Sequence, residues 1–148
     1  MCITKYIIFV NTENSAKKLL SFLKDLNHSA VLMFQRLEHK ERDEIMARFR
    51  EGFANFIITT DILARGFDLP DFELVINFEV PLGADPESYL RRIQTAGSSG
   101  KPMIVLNLLN IDQEKPTFDI IIEDLNMNVT DLVDEEQLSE YYAKINSE

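Results

Sequence analysis

Ile57-Ile58-Thr59-Thr60-Asp61-Ile62-Leu63-Ala64-Arg65-Gly66-Phe67-Asp68-Leu69-Pro70 is the stretch on which the fold turns. A β-branched run ends in paired threonines, and a polar loop carrying Arg, Gly and Asp follows at once. The run predicts a buried strand over Phe56–Thr59. In an open α/β sheet, ligands bind outside the carboxyl ends of the strands. The Thr60–Pro70 loop, with a single turn inside it, is therefore where chemistry is expected.

Outward from this stretch, short apolar runs alternate with segments of helical period, which predicts a parallel sheet with crossover helices. Upstream, strands are predicted over Tyr6–Val10 and Ala30–Met33. Between them Asn11-Thr12 caps a helix over Glu13–Leu26, with Ala16, Leu19, Leu20 and Leu23 inward. Lys40–Arg50 is a second helix, with Ile45, Met46 and Phe49 inward and Glu51-Gly52 ending it. Downstream, Leu74–Phe78 is a strand, Pro81–Pro86 a loop, and Glu87–Ile93 begins a further helix. Ile104–Leu108 is a fifth strand. Thr117–Leu125 is a helix with Phe118, Ile121, Ile122 and Leu125 aligned, and a final amphipathic helix covers about Asp134–Ile145. With no internal repeat, low-complexity stretch or linker, residues 1–148 read as one domain.

At 148 residues the chain is long enough to bury a core, and 45% hydrophobic with 27% charged residues is a globular rather than a disordered composition. No apolar run approaches the roughly 20 residues of a membrane span, so no membrane role is expected. Cys2 is the only cysteine, which excludes an intramolecular disulfide or a cysteine zinc cluster and suits a reducing compartment. The formal charge of −10 excludes a basic footprint over the whole surface. Nucleic-acid contact, if made, needs a local patch or a second domain. Asp131, Asp134, Glu135, Glu136 and Glu140 carry much of the excess and read as the solvated face of the last helix.

Four blocks carry a resemblance in order and at matching spacing. Lys5-Tyr6-Ile7-Ile8-Phe9-Val10-Asn11-Thr12 resembles motif IV of the DEAD-box RNA helicases, and the opening stretch resembles their motif V. His39-Lys40-Glu41-Arg42-Asp43 through Gly52 resembles the Gln-x-x-Arg helix. Leu74–Pro81 matches the strand after motif V, and Tyr89-Leu90-Arg91-Arg92-Ile93 the opening of motif VI. The chain is identified by these as similar to the C-terminal RecA-like domain of that family: α/β, a parallel sheet with helices on both faces. Ala84-Asp85-Pro86-Glu87-Ser88-Tyr89 is similar to the mRNA-export branch of the nuclear pore. The resemblance implies a cytoplasmic or nuclear location, with association at the nuclear pore.

The resemblance also implies roles. Thr60, Asp61, Gly66, Arg65 and Arg42 would contact single-stranded RNA, with Gly66 allowing close backbone approach. Asp68 and Arg92 would serve the nucleotide, Asp68 at the ribose. Simpler readings stand beside these: an Arg65–Asp68 salt bridge shaping the loop, strand packing for Thr59, an intrahelical Arg42–Glu38 pair, and a surface position for His39. ATP is the implied cofactor, with magnesium supplied through an N-terminal RecA-like lobe that would be a partner. A protein activator of the C-terminal lobe is a further implied partner, and the chain is expected to be a monomer.

Departures from the family fall at functional positions. Phe34 and Gln35 replace a polar-Gly turn after the second strand. In motif VI, Thr95 and Ser98 occupy the two arginine-finger positions, while Arg92, Ile93, Gly97 and Gly100 stay in register. An arginine finger stabilises charge on the transferring phosphoryl group, and neither Thr nor Ser carries a positive charge. Arg91 lies about one helical turn before Thr95 and would need the segment to shift before it could substitute. Gly100-Lys101-Pro102 is no P-loop. The chain alone is therefore expected to contribute half of an RNA groove and part of an ATP pocket without hydrolysing ATP. The alternative is a pseudo-helicase lobe kept as a protein-interaction adaptor. A deliberately altered motif VI would leave the same sequence.

Overall fold

In the computed structural model, residues 5–61, 72–95, 103–132 and 134–145 are described. Arg65, Gly66, Asp68 and Ser98 lie outside them, as does most of the Thr60–Pro70 loop.

Five four-residue strands, β1 (Tyr6–Phe9), β2 (Ala30–Met33), β3 (Phe56–Thr59), β4 (Leu74–Asn77) and β5 (Ile104–Asn107), form one sheet. The order is β2-β3-β1-β4-β5, and every pairing is parallel. The ladders are flush: Phe9 lies opposite Thr59 and Asn77, and Asn77 opposite Asn107. The predicted strands Tyr6–Val10, Leu74–Phe78 and Ile104–Leu108 each end one residue earlier in the structure. Their hydrogen bonding nevertheless continues one step, from Val10 N to Thr59 O, Phe78 N to Phe9 O and Leu108 N to Asn77 O.

Helices cover both faces, which is why the central strands read as unbroken apolar runs. Helix α1 (Glu13–Asp25) packs Ala16, Leu19 and Leu23 against Ile8, Val10 and Ile58 on one face. Helix α2 (His39–Arg50) packs Met46 and Phe49 against Ile7, Phe9, Ile57 and Val75 on the other. On that second face α3 (Pro86–Gln94) and α4 (Lys115–Asp124) bring Tyr89, Ile93, Phe118 and Ile121 together beside Met103 and Val105. Helix α5 spans Glu135–Ile145. Each fully buried side chain of this size contributes about 1.5–3 kcal/mol. Leu20, Ile45, Ile122 and Leu125, expected inward, are half-buried at the rims.

Thr12 caps α1 as predicted, its Oγ1 accepting from Ser15 N at 3.1 Å. Helix α4 begins two residues before the predicted Thr117, because Pro116 suits the first turn of a helix. The predicted loop Pro81–Pro86 holds a short 3-10 turn over Leu82–Ala84. Three helices end alike, on a left-handed residue: Asn27, Gly52 and Asn126. In each, the next amide reaches back five positions, as from His28 N to Leu23 O at 2.8 Å.

Candidate nucleotide and RNA interface

Strand β1 exits into α1 on one face of the sheet, and its neighbour β4 exits into α3 on the opposite face. Adjacent strands whose connections leave in opposite directions open a crevice at their carboxyl ends, where α/β proteins place ligands. Asn11 and Glu79 line it from the two exits, and Thr60-Asp61 follows β3 alongside.

Arg92 of α3 fills this crevice. Asp85 starts the helix, accepting from Glu87 N at 3.1 Å and from Ser88 Oγ at 2.6 Å. The Ser88 hydroxyl, more than any other group, holds the Asp85 carboxyl below its ordinary range. Two turns on, the Arg92 side chain is 0% exposed and lies over the Phe9 ring, 5.5 Å from its centroid. A guanidinium has five N–H donors, and all are used. Nε and Nη2 form a fork on the Asp61 carboxylate, the Nη2–Oδ2 arm at 2.8 Å. Nη2 also donates to Asn11 Oδ1 at 2.8 Å, while Nη1 donates to Glu79 O at 2.5 Å and Asn77 Oδ1 at 3.5 Å. A buried charge persists only when so paired.

A second tier supports the first. Asn77 Nδ2 donates to Asn107 Oδ1 at 2.8 Å, carrying the network to β5. Tyr89 is buried beside it, and desolvation raises its hydroxyl pKa against a counteracting hydrogen bond with Asn107. Glu114 accepts from Val80 N at 3.1 Å and Asn110 N at 2.9 Å, tying the β4 exit to the β5 exit.

Among the expected site residues, the structure brings Asp61 and Arg92 together and sets Thr60 beside them, buried. Thr59 is also buried, its Oγ1 donating to Thr60 O at 3.1 Å. Arg92, expected at the nucleotide, has its donors on protein acceptors in this structure. Thr95 is committed too: its hydroxyl donates to Arg92 O at 2.6 Å and closes α3. Arg91 turns back along the helix, with Nη1 3.0 Å from Glu87 Oε1 and Nη2 3.1 Å from Ser88 Oγ, leaving its buried Nε without a partner. A triphosphate needs cations that are not already spent. The described residues of α3 and its cap do not fit that need.

Arg42 stands apart, with Nε donating to Leu37 O at 2.7 Å and Nη2 to Gln35 O at 3.1 Å. Both of these bonds go to backbone carbonyls. They brace the turn after β2, where Phe34 is buried in the α1 face and Arg36 grips Glu13 with both Nε and Nη2. That grip holds the Glu13 carboxyl below its usual range. His39 is exposed, as expected of a surface histidine.

Sequence reasoning missed Asn77, Glu79, Asn107 and Glu114. For Asn77, Glu79 and Asn107 the one signal was a polar residue at or just past the end of an apolar run, and Glu114 carried none.

Comparison with known proteins agrees with this geometry. The helicase conserved C-terminal domain matches residues 2–100. Eukaryotic initiation factor 4A-1 of Arabidopsis thaliana is 37% identical over 139 residues, which is 90% of this chain and 33% of that protein. The chain thus spans about a third of the length of such relatives. The S. cerevisiae Dbp5 C-terminal domain bound to Gle1 and IP6 superposes with a TM-score of 0.77 at 29% identity, covering 100% of this chain and 86% of that one. S. cerevisiae Dbp5 bound to RNA and ADP BeF3 gives a TM-score of 0.80 at 29% identity, covering 97% of this chain and 38% of that one. With the flush parallel sheet, the order of its strands and the sequence match all agreeing, the chain belongs to the helicase conserved C-terminal domain family and is a C-terminal helicase domain of the DEAD-box type.

Proposed function

We propose that this chain acts as the C-terminal lobe of a DEAD-box RNA helicase that holds single-stranded RNA without completing an ATPase site of its own. The observation that carries this is the commitment of Arg92 and Thr95 to protein partners. The motif VI helix is kept as scaffold, while the finger positions hold Thr95 and Ser98. Thr60, Asp61, Gly66, Arg65 and Arg42 supply the RNA half-groove, and phosphate contacts there set position rather than sequence. ATP would be shared with an N-terminal lobe that brings the P-loop and the magnesium ligands, with Asp68 at the ribose. Dbp5 has been seen with RNA in one complex and with Gle1 in another. By analogy, a protein activator and an mRNA-export setting at the nuclear pore belong to the same proposal.

An NMR titration of the labelled chain with single-stranded RNA, at low and at physiological salt, tests it. Shifts are expected at Thr60, Asp61, Gly66 and Arg42, weakening as salt rises because phosphate contacts release counterions. No shifts at low salt would remove the RNA reading and leave the adaptor role.

A further inference from the structure

The exits of β1, β4 and β5 are tied pairwise by carboxylates that accept backbone N–H groups. Glu79 Oε2 accepts from Asn11 N at 2.6 Å, and Glu114 makes the corresponding tie between the Val80 and Asn110 amides. Asn11 is thereby held at three points. Its backbone is on Glu79, its Nδ2 donates to Val80 O at 2.7 Å, and its Oδ1 receives Arg92 Nη2. The Asn11 side chain can present Oδ1 to Arg92 only while its backbone stays beside the β4 exit. The β1–β4 ladder brings the two exits together as far as Phe78 N on Phe9 O, and the Glu79 carboxylate carries the tie on to Asn11, 68 residues away in sequence. Glu79 also contributes its carbonyl to Arg92 Nη1. One residue therefore supplies a direct acceptor to the guanidinium and fixes the neighbour that supplies another.

We infer that Glu79 is a positioning residue of the candidate site, whose carboxylate fixes Asn11 and so holds the Arg92 guanidinium square on Asp61. This rests on the reading of the β1, β3 and β4 exits as the functional edge. It adds that Thr60-Asp61 is aligned from across β1, through Glu79, Asn11 and Arg92. A carboxylate accepting a backbone N–H makes a charge-assisted bond, which is short and strong. The amide of Gln has one oxygen that can accept the same proton.

The test reads Arg92 directly. The Nε–H of a buried, forked arginine exchanges slowly with solvent and gives its own NMR signal. In the full chain, Glu79→Ala is expected to speed that exchange about tenfold to a hundredfold, the equilibrium equivalent of one lost charge-assisted bond. Glu79→Gln should restore most of the protection, and the Asn11 amide should shift in both variants. If Glu79→Ala does not fold, Glu79→Asp withdraws the carboxylate by one methylene and serves in its place. Unchanged Nε–H protection in the alanine or aspartate variant would overturn the inference. Equal loss in the alanine and glutamine variants would do the same. RNA titration of the wild-type chain is scored separately, so absent RNA binding counts against the proposed function while the exchange result stands.

Discussion

Arginines placed at Thr95 and Ser98, with the chain joined to an N-terminal helicase lobe, are expected to raise RNA-stimulated ATP hydrolysis by about 10³–10⁵-fold. Phosphoryl transfer leaves a protein little covalent chemistry to perform, so its rate follows positioning and the cations around the transferring group. In this chain the Thr95 hydroxyl closes α3 on Arg92 O, and Arg91 is drawn toward Glu87 and Ser88. Neither can meet developing charge without breaking those contacts. Steady-state hydrolysis with and without RNA is the measurement. A double variant no faster than its parent would mean that the finger positions are not what limits turnover. A parent that already turns over at the rate of a competent helicase would sink the argument altogether.

Replacing Arg92 by Ala is expected to be strongly destabilising. It strands the Asp61 carboxylate, Asn11 Oδ1, Asn77 Oδ1 and Glu79 O, all directed at a guanidinium that is no longer there. Breaking a buried pair by removing one partner costs about 3–5 kcal/mol. For a domain of this length that lowers the melting temperature by roughly 10 °C. Asp61 is about a third exposed, so water recovers part of its share and the lower end of the range applies. Lys at the same position keeps the charge but has three donors in place of a planar fork, and should lose about half as much. Urea denaturation of the three proteins reads this directly. An Ala variant within about 1 kcal/mol of wild type would show that water satisfies the orphaned acceptors.

The fold was legible because its signals are local. The run Phe56–Thr59 is apolar on both faces and its strand appears with the predicted bounds. Ala16, Leu19 and Leu23 keep helical spacing and are buried together. Thr12 and Gly52 mark helix ends by chemistry that one residue carries alone. The ends at Asn27 and Asn126 use the same left-handed geometry, and there the loss of apolar periodicity placed the ends to within one residue. The site was half legible. Thr60, Asp61 and Arg92 were singled out by motif, and the structure brings the last two into contact. Their partners were not, because Asn11–Glu79 and Asn11–Arg92 join residues 68 and 81 apart, and no periodicity encodes such a pair. The protein partners of Arg92 were unreadable for the same reason. A motif names the residue, but only the count of its filled donors shows whether any remains for a ligand.

The Arg92 junction also bears on how the chain reaches and leaves its folded state. Its acceptors come from positions 11, 61, 77 and 79, so it closes only after β1, β3, β4 and α3 have all docked. The loops it spans are long, and their closure entropy must be met before any of its bonds form. It is therefore expected to be absent from the folding transition state. Weakening it should leave the refolding rate nearly unchanged and appear as faster unfolding, on the unfolding limb of a denaturant chevron. The residue that holds the functional edge in place would then also set how long the native lobe persists once formed.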